Sequence, residues 1–193
     1  VPANASRWGR YTYSLDSAAP GKHTLLLYGA LSREDAATEL AFIFERVYPY
    51  TGVFTHCAVC IIKPHAVASN AAGEIIDAIL KADLEISAMR SMVVSTTDAA
   101  DYYAPYRGVC REHEAWISHL ASGQSIIMEL RGHDVVPRLR ELAGPYDPVV
   151  ARALRPDSLR ARFGVDAVRN ALQVTDIDVD GPLETKFFFH VLP

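Results

Sequence analysis

THCAVCII (55–62), followed at once by KPHAV (63–67), decides the fold. The run is short and almost wholly apolar, which reads as a β-strand buried on both faces, and Pro64 stops it because proline cannot extend a hydrogen-bonded ladder. Working outward, GEIIDAILKA (73–82) sets Ile75, Ile76, Ile79 and Leu80 as one apolar stripe at helical spacing. LEISAMRSMVVS (84–95) alternates like a strand, and helical stretches follow at about 97–105 and 111–121 around the break YRG. QSIIMEL (124–130) is a third inner strand. DVVPRLRELA (134–143) is a helix with Asp134 near its start, Pro137 in its first turn and Gly144 as its stop. A proline-punctuated connection over 145–165 leads to ALQVT (171–175), a fourth strand, and GPLETKFFFHV (181–191) is a helical tail. The order β-α-β-α-β-α-β predicts an α+β, ferredoxin-like split βαβ sandwich, an antiparallel sheet with helices on one face. That fold hosts many functions and by itself decides none.

Upstream, residues 1–23 are punctuated by Pro2, Pro20 and Gly21 and read as irregular. TLLLY (24–28) is a short strand, and Ser32 opens a helix with Asp35 as its capping partner. AATELAFIFERV (36–47) carries Leu40, Phe44 and Val47 on one face, and YPYTG (48–52) breaks it. An internal echo links the two ends of the chain. At a constant offset of 145, ELAFIF (39–44) falls on ETKFFF (184–189), Tyr28 on Gln173 and Leu25 on Asn170. The expected organisation is therefore residues 1–54 as the C-terminal part of an incomplete first copy plus linker, and 55–193 as a second copy. The first copy lacks an opening strand and helix and leaves sheet edges unpaired, so residues before Val1 are expected.

Composition narrows the function classes. Half of the 193 residues are hydrophobic and 22% are charged, enough for a sizeable core. A net charge of −4 gives no reason to expect nucleic acid, and no apolar run is long enough to span a membrane. VPANASRWGR has no signal-peptide core, so a cytoplasmic or cytoskeletal place is expected. Cys57, Cys60 and Cys110 make no disulfide framework. Cys57 and Cys60 stand three apart in a strand and face opposite sides, which reads as buried thiols and not a metal or redox pair.

Seven arginines fall between 138 and 169 with no lysine and only four acids among them: Arg138, Arg140, Arg152, Arg155, Arg160, Arg162 and Arg169. Guanidinium forks recognise phosphate oxygens in pairs, so the cluster reads as a polyphosphate or acidic-surface site, against ordinary surface ion pairs. Lys63 at the end of the first inner strand is placed as a point charge for phosphate. His65 is the nearest histidine to it. His56, His113, His119, His133 and His190 have no acidic or nucleophilic partner at a telling spacing and read as surface or packing residues.

CIIKPHAV (60–67), GEII (73–76), DYY (101–103), HLASG (119–123), RPDSLRARFG (155–164), RNALQVTD (169–176) and ETKFFF (184–189) resemble, in order and spacing, the nucleoside diphosphate kinase family. KPHAV, EISAM, LRP and the late FF place the resemblance nearest a two-domain ciliary branch of it. The resemblance implies that Lys63 contacts the transferred phosphate, Tyr103 lines the site, Arg140 and Arg160 bind nucleotide phosphates and Asn170 contacts the ribose. It implies that Glu184 orients the catalytic histidine, that Thr175 stands at a serine position and that Asp176 matches an aspartate. The phosphate-accepting histidine is replaced by Gln173. The base-stacking phenylalanine falls near Glu112 or Glu114, and the phosphate-binding threonine on Tyr146.

A carboxamide nitrogen has its lone pair delocalised into the carbonyl, so Gln173 supplies neither a nucleophile nor a labile phosphoramidate. Tyr28 in the partial copy is equally unsuited. The reading is a non-catalytic scaffold, with the question of enzyme activity left open and leaning against it. The resemblance implies a place in ciliary or flagellar axonemes as a microtubule inner protein. Its implied partners are tubulin, other axonemal inner proteins and the γ-tubulin ring complex, with neither nucleic acid nor membrane. No cofactor is required. Two alternatives stand beside it: a nucleotide-binding module without turnover, or an active kinase using Mg²⁺ and ATP at a site elsewhere in a longer chain.

Overall fold

A computed structural model describes residues 12–13, 25–26, 32–40 and 52–192. The chain divides into two compact units, Val1–Pro49 and Tyr50–Pro193. In the first unit, β1 (Thr12–Tyr13) pairs antiparallel with β2 (Leu25–Leu26), so a stretch expected to be irregular contributes a strand. Helix α1 (Arg33–Leu40) begins where Ser32 Oγ accepts the backbone N–H of Asp35 at 3.0 Å. Tyr28 and the part of the echo beyond residue 40 lie outside the described residues.

The second unit is built on β3 (Cys57–Ile62), buried at all six positions. It is followed by α2 (Pro64–Ala68), α3 (Ala72–Lys81), β4 (Glu85–Met92), α4 (Thr96–Tyr102), a 3-10 turn (Ala104–Tyr106) and α5 (His113–Leu120). Then come β5 (Ser125–Arg131), α6 (Val135–Ala143), α7 (Pro148–Leu154), α8 (Leu159–Phe163), β6 (Leu172–Val174), α9 (Gly181–Lys186) and a π-helical turn (Phe187–Val191). The sheet order is β4-β5-β3-β6, antiparallel at every junction, as a split βαβ sandwich requires.

Helices cover both faces of this sheet, not one. Successive strand residues point to opposite sides, and β3 is apolar at both parities, so each side needs its own cover. Ala58, Cys60 and Ile62 join one core with Ile75 and Ile79 of α3 and Leu139 of α6. Val59 and Ile61 join the other with Trp116 and Leu120 of α5 and with Phe188 and Phe189. Cys60 and Cys57 accordingly face apart. Burial pushes their thiols up to about 12 and about 11. Leu80, expected on the α3 stripe, is 54% exposed because it lies about 100° round the helix from Ile79.

The connection over 145–165 hides two helices. Asp147 accepts the N–H of Val149 at 2.8 Å and Pro148 opens α7, a start signal present in the sequence. Close approach fixes α9: a Cβ on Gly181 would lie 1.8 Å from the Cys57 carbonyl oxygen, so only glycine lets this helix begin on β3. Glu129, fully buried in β5, accepts the backbone N–H groups of Val53 at 3.0 Å and Phe54 at 2.8 Å. Those bonds tie residues 53–54 to the second unit, ahead of the boundary drawn at 55.

Candidate active site

Helix α6 with the segment that follows it, and strand β6 with the residues on either side of it, surround a cleft of about 780 Å³. Arg140, Arg160, Asn170 and Gln173 line it, and so bring together four of the residues picked out by resemblance. Lys63 and Tyr103 do not line it. Both are buried and pack on Trp116, which does: the Lys63 Nζ lies 5.6 Å from the Trp116 ring centroid, and the Tyr103 ring also 5.6 Å. Trp116 Nε1 donates to the Ala167 carbonyl at 3.0 Å, and Lys63 Nζ donates to Val168 at 3.3 Å. Burial, then the nearby Arg160 charge, lower the Lys63 ammonium to about 7, with Asp166 opposing.

Arg160 is 8% exposed and its guanidinium is committed to the fold. Nη1 donates to the Gly144 carbonyl at 2.7 Å, while Nε and Nη2 donate to Leu172 at 3.3 and 3.2 Å. Arg140 donates to the Asp176 backbone oxygen and stands 3.5 Å from its carboxylate. Arg155, also in the cleft, pairs with Glu141 at 3.1 Å. The arginine cluster thus does not form one phosphate patch. Arg138 bonds the His133 and Ala82 carbonyls, and Arg152 those of Ala161 and Gly164. Arg162 pairs with Glu74 and Arg169 with Asp166.

Gln173 sits at the centre of β6 opposite Ile61, 7% exposed. Next along, Thr175 Oγ1 accepts the N–H of Val59 at 2.8 Å and donates to Glu184. Tyr102 donates to the same carboxylate at 3.4 Å. Burial raises Glu184 to about 7 against the pull of the Thr175 bond. Asn170 donates to the Tyr146 carbonyl at 2.9 Å; its buried Oδ1 and the Tyr103 hydroxyl have no partner among the described residues. Glu112 and Glu114 do not reach the cleft. The α5 residue that does is Trp116, on the same buried face as His113, Ile117 and Leu120, a face legible from the spacing in HEAWISHL. The histidine reading also needs correction. His65 and His119 meet at 2.9 Å, and His113 is buried against the Tyr103 carbonyl and Glu114.

Strand order, both helical layers and the strand-end cleft define a nucleoside diphosphate kinase fold, and the profile of that family matches residues 56–192; the chain belongs to the nucleoside diphosphate kinase family. Nucleoside diphosphate kinase homolog 7 of Rattus norvegicus is 37% identical over 169 residues, covering 86% of this chain and 43% of the rat protein. The Mus musculus homolog 7 is 39% identical over 142 residues, covering 74% and 36%. The chain therefore spans less than half the length of these two relatives. A crystal form of the Aquifex aeolicus nucleoside diphosphate kinase superposes with a TM-score of 0.67 at 29% identity, over 69% of this chain and 94% of that one.

Glu184 and Lys63 have opposite effects on stability as pH changes. Glu184 rises from 4.5 to about 7 on folding, so between those values the folded state holds the extra proton and stability falls as pH rises. Lys63 drops from 10.5 to about 7, so between those values the unfolded state holds the extra proton and stability rises with pH. Each limb is on the order of 3–5 kcal/mol. Urea midpoints across pH should show a minimum near neutrality from these two groups. Glu184→Gln should flatten the acid limb and Lys63→Met the alkaline one; unchanged limbs would refute the assignment.

Proposed function

We propose that this chain is a non-catalytic member of its family that acts as a scaffold. A carboxamide at the cleft position of Gln173 carries the reading, since it cannot accept and release a phosphoryl group. The internal commitments of Arg140, Arg155 and Arg160 support it, because an incoming phosphate must displace a carboxylate or a structural bond at each. The proposed setting is the ciliary or flagellar axoneme, as a microtubule inner protein. Tubulin and neighbouring inner proteins are the partners, the γ-tubulin ring complex a further one, with no cofactor required. The motif resemblance to the ciliary branch supports that setting, as does a match to the rat homolog 7 longer than the 56–192 block alone. The same match supports residues 1–54 as the end of a preceding kinase-like copy.

An open cleft of about 780 Å³ that keeps Arg140 and Asn170 at its wall favours one second reading, a nucleotide-binding module without turnover. Two measurements separate the readings. On the scaffold reading, the chain co-sediments with microtubules and ADP·Mg²⁺ gives no heat at submillimolar concentration. Submillimolar ADP binding that weakens in Arg140→Ala supports the module instead, and failure to co-sediment removes tubulin as the partner.

A further inference from the structure

Just after Lys63 in the chain, the first turn of α2 meets the last turn of α5. His65 Nδ1 lies 2.9 Å from His119 Nε2, with ring centroids 5.0 Å apart and ring planes at 44°. A second cavity of about 290 Å³ opens beside the pair, with Ser122 and Gln124 in its wall. The Gln124 amide nitrogen is taken by Ser91 Oγ at 2.7 Å, which leaves Oε1 as its open acceptor. Ser122 donates its hydroxyl hydrogen to the His119 carbonyl at 2.7 Å and keeps its lone pairs. The outer nitrogen of His65, Nε2, is buried without a partner among the described residues.

We propose that His65 and His119 form a binding site for an imidazole-preferring divalent transition metal, Cu²⁺ foremost. Two imidazole nitrogens in adjacent positions, each about 2.0 Å from one ion, lie about 2.8 Å apart in tetragonal geometry and about 3.3 Å in tetrahedral geometry. The observed 2.9 Å falls at the tetragonal end, the arrangement Cu²⁺ prefers. Without metal the pair shares one hydrogen. Binding requires only that the donating ring move that hydrogen to its outer nitrogen, so both facing lone pairs become free with no net proton release. Burial, before anything else, holds both rings below the ordinary imidazole range, and for His65 the neighbouring His119 adds to it. The other charges that bear on the pair are Lys63 and Arg169, which lower it, and Asp166, which opposes them while paired with Arg169 at 2.6 Å. Gln124 Oε1, Ser122 Oγ and water from the cavity are available for the remaining positions.

CuSO₄ titration of the full chain at pH 7.5, followed by calorimetry and by electron paramagnetic resonance, tests the site. One Cu²⁺ per chain is expected, with nitrogen hyperfine structure from two imidazoles. Affinity should fall by about tenfold or more in both His65→Ala and His119→Gln. It should hold in His133→Ala, which removes an exposed histidine. Melting curves of each variant establish that it is folded, and His119→Gln keeps the α5 packing if His65→Ala does not fold. Absence of binding, a spectrum without two imidazoles, or affinity retained in His119→Gln overturns the proposal.

Discussion

Arg160→Ala is expected to lower the stability of the second unit by roughly 3–5 kcal/mol, a fall in Tm of roughly 6–20 °C for a chain of this size. Nε, Nη1 and Nη2 hold the Gly144 and Leu172 carbonyls, joining the stop of α6 to the first residue of β6. Truncation leaves these carbonyls inside the protein without their charged donors and opens a cavity where the guanidinium lay. Arg160→Lys should recover little, since an ammonium cannot reach two carbonyls through a planar fork. Thermal and urea unfolding read the effect directly. A variant as stable as the parent would mean that the guanidinium is free for a ligand, and would return Arg160 to the phosphate-binding role drawn from resemblance. The consequence for ligand work is concrete. Loss of nucleotide affinity in Arg160→Ala does not report a phosphate contact, whereas Arg140 and Arg155, each half-exposed and paired at the cleft, can be truncated without removing a buried bond.

The sheet was legible because its physics is local. CAVCII, SIIMEL and LQV are apolar runs of strand length, and their order alone restricts the topology to a few choices. The two-sided helix cover was present in the same residues, since β3 has no polar parity to leave in water. What sequence spacing could not carry was partnership. Seven arginines in thirty-odd positions read as one positive patch, but they turn in different directions: six find a carbonyl or carboxylate from another segment, and Arg169 pairs with Asp166 in its own loop. Glu129 looked like one acid in a strand, whereas its role depends on backbone N–H groups seventy-five residues away in sequence. His65 and His119 were separated by 54 positions and read as unrelated. Tyr103 and Lys63 were found by motif, yet only packing reveals that Trp116 stands between both and the open cleft.

Incubated with γ-labelled ATP and Mg²⁺, the chain should yield no acid-labile phosphoprotein, and its diphosphate kinase rate should lie about 10⁴–10⁶-fold below that of a histidine-bearing relative. The covalent route needs an imidazole lone pair to take the phosphoryl group and an imidazole leaving group to return it; the Gln173 amide offers neither. Gln173→His should restore the first half-reaction to a measurable level, because β6 fixes this side chain at the cleft wall and Glu184 lies in the adjoining hydrogen-bonded network through Thr175. It should not restore the full rate. Asp176 holds Arg140 and Glu141 holds Arg155, so charge developing on the transferred group meets guanidinium groups already neutralised. Loss of one such preorganised donor costs about 10²–10³ in rate, and Gln173→His should remain at least that far behind an active relative. Adding Glu141→Gln frees Arg155 and should raise the phosphohistidine yield further. A labelled phosphoprotein that forms and discharges in the parent chain would place a working nucleophile elsewhere in this molecule. Full activity in Gln173→His alone would mean that the arginine pairs give way to substrate, so that the lost imidazole is the whole of the defect.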